Sequence, residues 1–231
     1  LTFFLSTYWI QNKKTISTEY FPNGNVVTTT ENNYSPSYKH LYPTNTTTKN
    51  SKGETITTEY QYPPDLTGNY IQNAEMIKLV NTNRISEPVI INQKVGDVYT
   101  SEVRNQYNEF NGIIQKSAVY QKRGKDIGLG GTFDRVIKYD SYDTKGNLTQ
   151  YTLENGIPVA IIWGYNGQYP IAKIEGISYT DLTKSTNYTS NIINALVDQT
   201  TNSPQNTAHI KDLFNQLRVN ELCKDALVTT Y

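Results

Sequence analysis

The chain has 231 residues, 21 basic against 21 acidic side chains, and only 36% hydrophobic residues. That length is enough for one large or two small domains with a real core, and the charge balance excludes a polybasic nucleic-acid surface. Aromatic residues at 12%, with 19 Tyr, argue against disorder, and the abundance of Thr, Tyr, Val and Ile favours strands. The expected fold class is mainly β, built as antiparallel hairpins in series.

In chain order, Leu1 to Ile10 form an apolar run about half the ~20 residues a membrane helix needs, with no basic stretch around it. It reads as a starting strand, and no direct membrane span is expected. Turn signals then recur at Pro22-Asn23-Gly24-Asn25, Asn50-Ser51-Lys52-Gly53, Val95-Gly96-Asp97 and Phe110-Asn111-Gly112. They continue at Thr144-Lys145-Gly146-Asn147, Glu154-Asn155-Gly156 and Asn166-Gly167. Gly and Asn tolerate the positive φ of tight hairpins, so each is a turn with a mechanism. Between them the runs alternate. Ile56, Thr58, Tyr60 and Tyr62 share one face, and Val159, Ile161, Trp163 and Tyr165 share another.

Ser35 to Asn50 and Asp65 to Thr82 read as long connections around short strands. The glycine-rich stretch Gly124 to Thr132 lacks the Lys-Ser/Thr of a phosphate cradle and is followed by a strand pattern, so a loop is expected. After Tyr179 the period changes. Ile192, Ile193, Leu196 and Val197 fall at helical spacing over Ser190 to Asp198. A break at Thr200-Thr201-Asn202 follows, and Ser203-Pro204 offers an N-cap with Pro at the first helical position. Ile210, Leu213, Phe214 and Leu217 line the second helix. Helix is therefore expected mainly after Tyr179. The expected organisation is a hairpin region over 1–178, a helical hairpin over 179–224, and a further strand over 225–231, cut off without a partner.

One Cys (Cys223) and two His (His40, His209) exclude an internal disulfide and a Cys/His zinc site of about four ligands. Neither His lies in a catalytic pattern, and both read as structural. No cofactor and no metal are expected. Carboxylates stand at Asp134, Asp140, Asp143, Glu154 and Glu175, and a glycosidase would need two of them facing each other across a sugar. Asp140 and Asp143 point to opposite faces of a regular strand unless a turn intervenes. Sequons occur at Asn33, Asn45, Asn147 and Asn187; this Asn- and Thr-rich chain produces them by chance.

The most specific stretch is 139–176. It runs Tyr142-Asp143, then Gly146-Asn147-Leu148, Tyr151, Gly156 and Trp163-Gly164-Tyr165. Asp143 is placed to bond turn amides, Gly146-Asn147 to reverse the chain, and the aromatics to stack as hairpins add. This spacing resembles the YD repeat of the RHS family. The motif positions are Tyr142, Asp143, Gly146, Asn147, Tyr151, Gly156, Trp163 and Tyr165. Earlier echoes at Tyr20 to Asn25 and Lys49 to Gly53 lack the Tyr-Asp pair.

The Asn/Thr/Lys/Tyr bias and the helical hairpin also look like the long RHS-type surface proteins of Bacteroidetes. What the resemblance implies is a large secreted or cell-surface polypeptide whose hairpins form a continuous β-sheet strip. It implies partners in the rest of the same polypeptide or in other surface proteins, including type IX secretion, gliding and adhesion systems. The expected function is a non-enzymatic structural or interaction segment, ordered within a larger polypeptide or a complex. The alternative is a carbohydrate-binding β module using Tyr139, Tyr142, Tyr151, Trp163, Tyr165 and Tyr169, and a third reading is a glycan-cleaving enzyme. No nucleic-acid partner is expected.

Overall fold

The computed structural model describes residues 8–37, 39–50, 52–68, 70–124, 132–184 and 188–231. Among them the chain is mainly β. Twelve strands follow one another in a single hydrogen-bonded order that matches their order in sequence, with five helices between them. The chain divides into two compact units, Leu1–Arg104 with Gln121–Phe133 and Asn105–Tyr120 with Asp134–Tyr231.

The first unit opens with β1 (Lys14–Phe21) and β2 (Gly24–Tyr34), an antiparallel hairpin from Lys14↔Glu31 to Phe21↔Gly24. The expected starting strand is corrected in part. Tyr8 to Ile10 are not strand, and the first seven residues lie outside the described ones. β3 (Pro43–Lys49) and β4 (Thr55–Gln61) continue the ladder, with Thr46 opposite Thr58 and Thr47 opposite Thr57. Their turn is fastened by Asn50, whose Oδ1 accepts the amides of Lys52 at 2.9 Å and Glu54 at 3.0 Å. Such an Asx arrangement substitutes a side chain for a backbone turn acceptor.

Two helices then depart from expectation. α1 (Pro63–Leu66) and α2 (Asn73–Asn81) occupy the stretch read as a connection around short strands. Met76 and Leu79, three residues apart, are both fully buried, and that single pair on one helical face is what tertiary packing uses. Tyr62, Leu66, Val89 and Ile90 are buried in the same unit and form its small core with them. His40 belongs to it: its Nε2 meets Asp65 Oδ2 at 3.0 Å and its Nδ1 accepts the Tyr42 amide at 3.3 Å. It is a satisfied buried histidine. β5 (Ile90–Val95) pairs with β4 and with β6 (Val98–Phe110), and β7 (Ile113–Arg123) follows the Asn111-Gly112 turn. Both turn residues have positive φ, 50° and 80°. Positive φ at both central positions is what a type I′ hairpin requires.

The second unit takes the tip of the β6–β7 hairpin and adds β8 (Asp134–Tyr142), β9 (Leu148–Leu153), β10 (Pro158–Gly164) and β11 (Tyr169–Glu175). The strand expected after the glycine-rich stretch is β8; residues 125–131 of that stretch lie outside the described ones. A short 3-10 turn, Tyr165–Gly167, joins β10 to β11. α3 (Tyr179–Thr183), α4 (Tyr188–Asn202) and α5 (Thr207–Val219) come next. The core packs Ala160 and Ile162 of β10 and Ile171 and Ile174 of β11 with Ile193 and Leu196 of α4 and Leu213 and Leu217 of α5. Cys223, in a second 3-10 turn (Glu221–Cys223), is buried in the same cluster, and burial pushes its thiol up from the ordinary value.

Three expectations are corrected here. α4 runs through Thr200-Thr201-Asn202 without a break, because the Thr200 hydroxyl donates to the Leu196 carbonyl at 2.8 Å and is satisfied inside the helix. The N-cap of α5 is Asn206, not Ser203: its side chain accepts the His209 amide at 3.4 Å. Ser203-Pro204 instead opens a turn closed by the Asn206 amide on the Ser203 carbonyl at 3.0 Å, a position for which the fixed φ of Pro is suited. Finally, β12 (Leu227–Thr230) is not left without a partner. It pairs antiparallel with β11 from Glu175↔Leu227 to Ala172↔Thr230, because the helical hairpin returns the chain to that edge.

Candidate functional site

The motif residues of 139–176 meet around the β8–β9 turn. Asp143 Oδ1 accepts the amides of Lys145 at 2.9 Å and Asn147 at 2.8 Å, and its Oδ2 accepts Asn147 Nδ2 at 2.9 Å. The tetrad Asp143 to Gly146 is closed by the Gly146 amide on the Asp143 carbonyl at 3.1 Å and braced by this carboxylate. Gly146 suits this position chiefly through its backbone, since the Gln115 side-chain end that a Cβ would meet can shift. Its φ is +86°, and a Cβ would stand 2.8 Å from Gln115 Nε2. The same Gln115 donates to the Gly146 carbonyl at 3.2 Å.

The turn is also tied to the next hairpin. Lys145 Nζ donates to the backbone carbonyl of Asn166 and, at 2.9 Å, to its Oδ1. Asn147 Nδ2 donates to the Gly167 carbonyl at 2.9 Å. Asn166 in turn offers its amide to Thr201 Oγ1 at 3.1 Å, so the end of α4 closes the constellation. One step further, Gly164 lets α4 approach β10, since a Cβ would stand 2.5 Å from Thr200 Oγ1 and 2.7 Å from Ile171 Cγ2.

Apart from the cross-strand pair of Tyr139 and Tyr151, the aromatics make separate contacts. Tyr142 packs its ring on Phe110 at 4.9 Å and donates its hydroxyl to the Lys116 carbonyl at 2.6 Å. Tyr151 stands opposite Tyr139 on one side and Val159 on the other. Trp163 is half-buried, and its indole donates to the Leu148 carbonyl at 2.8 Å. Tyr165 and Tyr169 make an edge contact at 5.9 Å beside the 3-10 turn, both exposed. Gly156, with φ +81°, holds the β9–β10 turn.

The other carboxylates are committed locally. Burial raises the Asp140 carboxyl, but hydrogen bonds from Lys138 and Thr152 outweigh it and hold the group below its usual range. A group so held is a poor general acid near neutral pH. Glu175 pairs with Lys173 at 2.7 Å, and Asp134 and Glu154 are exposed. His209 is exposed on α5. Among the described residues no cluster of three His, Cys, Asp or Glu is arranged to hold a metal. No helix among them is long and apolar enough to cross a membrane. Of the sequons, Asn33 donates to Asn45 Oδ1 at 2.7 Å, Asn147 serves the turn, and Asn187 lies outside the described residues.

What the sequence did not show is a groove of about 620 Å³ beside this constellation. Trp163 and Tyr179 line it together with Asp143 and Lys145 on one side and Asn194 and Asp198 of α4 on the other. The Tyr179 phenol is raised by burial and by the neighbouring charge of Asp143. Nothing local to 139–176 points to the α4 wall, which arrives from about thirty residues downstream through tertiary packing. No family model matches the chain, and no curated protein matches it.

Proposed function

We propose that the chain is a non-enzymatic structural segment of a large surface-exposed or secreted protein of the RHS/YD-repeat type, its hairpins forming one stretch of a β-sheet strip. The observation that supports this reading is the coupling of successive turns. Both oxygens of Asp143 are used within its own turn, while Lys145 and Asn147 reach from that turn to the next one at Asn166 and Gly167. A residue set spent on joining hairpin to hairpin serves a scaffold. Its partners are then further hairpins of the same polypeptide or neighbouring proteins of a surface, adhesion or type IX secretion assembly.

Antibody raised against the chain tests the proposal on intact source cells and on their extracts. Labelling without permeabilisation, together with a detected polypeptide several times larger than 26.3 kDa, is the expected result. Labelling confined to permeabilised cells would overturn the surface assignment.

A further inference from the structure

We infer that the groove between the β8–β9 turn, the β10–β11 turn and α4 binds a neutral saccharide chain. The inference goes beyond the scaffold reading and stands without it, since a strip needs no ligand.

The groove volume of about 620 Å³ lies within the roughly 300–1,000 Å³ of small-molecule sites. Its lining divides by chemistry. Trp163, Tyr179 and Val197 offer apolar and aromatic surface. The Trp163 ring is already oriented by its bond to the Leu148 carbonyl, so binding would not have to order it. Along one wall Asn194, Asp198 and Thr201 follow at i, i+4 and i+7, which puts them on one face of α4. All three are exposed, and the Asn194 side chain and the second carboxylate oxygen of Asp198 have room for a ligand hydroxyl; Asp198 Oδ1 takes Asn202 at 2.6 Å.

Charge narrows the ligand. Asp143 and Asp198 both line the groove, while Lys145, the one cation among the described residues of its lining, donates to Asn166. Phosphate, sulfate and uronate ligands are therefore disfavoured, because the two carboxylates outnumber the single ammonium and would repel an anion. A pyranose has an apolar face bounded by hydroxyl donors and acceptors, and that is the pattern of an aromatic floor below amide, carboxylate and hydroxyl groups. The site differs from the open aromatic face that the sequence suggests, since Tyr139, Tyr151 and Tyr169 take no part in it.

Titration calorimetry of the full chain with cellohexaose, maltohexaose, mannohexaose and N-acetylchitohexaose tests this. At least one should bind with a Kd below about 1 mM. Asn194→Ala and Asp198→Asn, both on the exposed face of α4, should each weaken it by about tenfold or more while leaving circular dichroism and Tm unchanged. In a Trp9→Phe background, the fluorescence of Trp163 should change on saturation. The inference falls if none of the four binds at about 5 mM, or if binding and fluorescence change survive both substitutions, which would place the sugar elsewhere. Loss of binding in either variant with its Tm intact supports the site even where the other variant fails to fold.

Discussion

A carboxylate that closes three hydrogen bonds in one turn is hard to replace by anything smaller. Asp143→Ala leaves the amides of Lys145 and Asn147 without an acceptor inside the turn, and a lost charge-assisted bond of this kind costs about 1–3 kcal/mol. Urea denaturation followed by circular dichroism should show a loss in that range, and a midpoint unchanged from wild type would refute the turn-bracing role. Tyr62 carries a second prediction. Burial, then the charges of Tyr60, Asp65 and Tyr42, push its phenol up to about 12 from its ordinary 10.0. Below pH 10 the phenol is protonated whether the chain is folded or not, so its favourable environment is fully effective. Between about pH 10 and 12 the unfolded chain ionises first, and stability should fall as pH rises through that window. Tyr62→Phe should lose about 1 kcal/mol at pH 8 with the bond to the Pro43 carbonyl. Because Phe cannot titrate, the gap between wild type and variant should close above pH 10 and reverse in favour of the variant toward pH 12.

At the scale of elements, the contact of α4 with β10 depends on a missing side chain. Gly164 has φ −119°, a backbone that Ala adopts freely, so only space forbids the substitution. With Thr200 Oγ1 and Ile171 Cγ2 both within 2.7 Å of the added Cβ, Gly164→Ala should cost about 1–3 kcal/mol by overpacking. Chemical denaturation measures it, and a neutral result would mean that α4 shifts without loss. Met76→Ala should cost more, about 2–5 kcal/mol, since Met76 is wholly buried in the small core of the first unit. These two positions also mark what the sequence could and could not convey. The hairpin turns were legible because Asn and Gly at positive φ act within a few residues, as at Asn111-Gly112. Asp143 was legible for the same reason, its partners being two and four residues away. α2 was not, because only Met76 and Leu79 bury fully while Ile77 beside them is exposed, so its apolar residues do not mark a single face. The Lys145–Asn166 tie, 21 residues apart, and the α4 wall of the groove depend on tertiary placement that no local pattern encodes.

For the whole molecule, the course of the chain matters as much as its elements. The second unit takes Asn105–Tyr120 from the middle of the sequence and Asp134–Tyr231 from its end. The insert supplies Phe110, Gln115 and the Lys116 carbonyl, which hold Tyr142 and Gly146. A fragment of residues 134–231 should therefore be markedly less stable than one of residues 105–231, with a lower midpoint in urea. Equal midpoints would show that the hairpin tip adds nothing to the unit it joins. The lone buried thiol gives this unit a gauge of its own. Cys223 is 1% exposed, and its raised pKa thins the reactive thiolate further. Iodoacetamide can reach it only when the cluster around α5 opens, so the alkylation rate, divided by that of the unfolded chain, reads the opening equilibrium directly. The protein thus reports its own breathing through one sulfur atom, with no label to introduce and no second cysteine to confuse the signal.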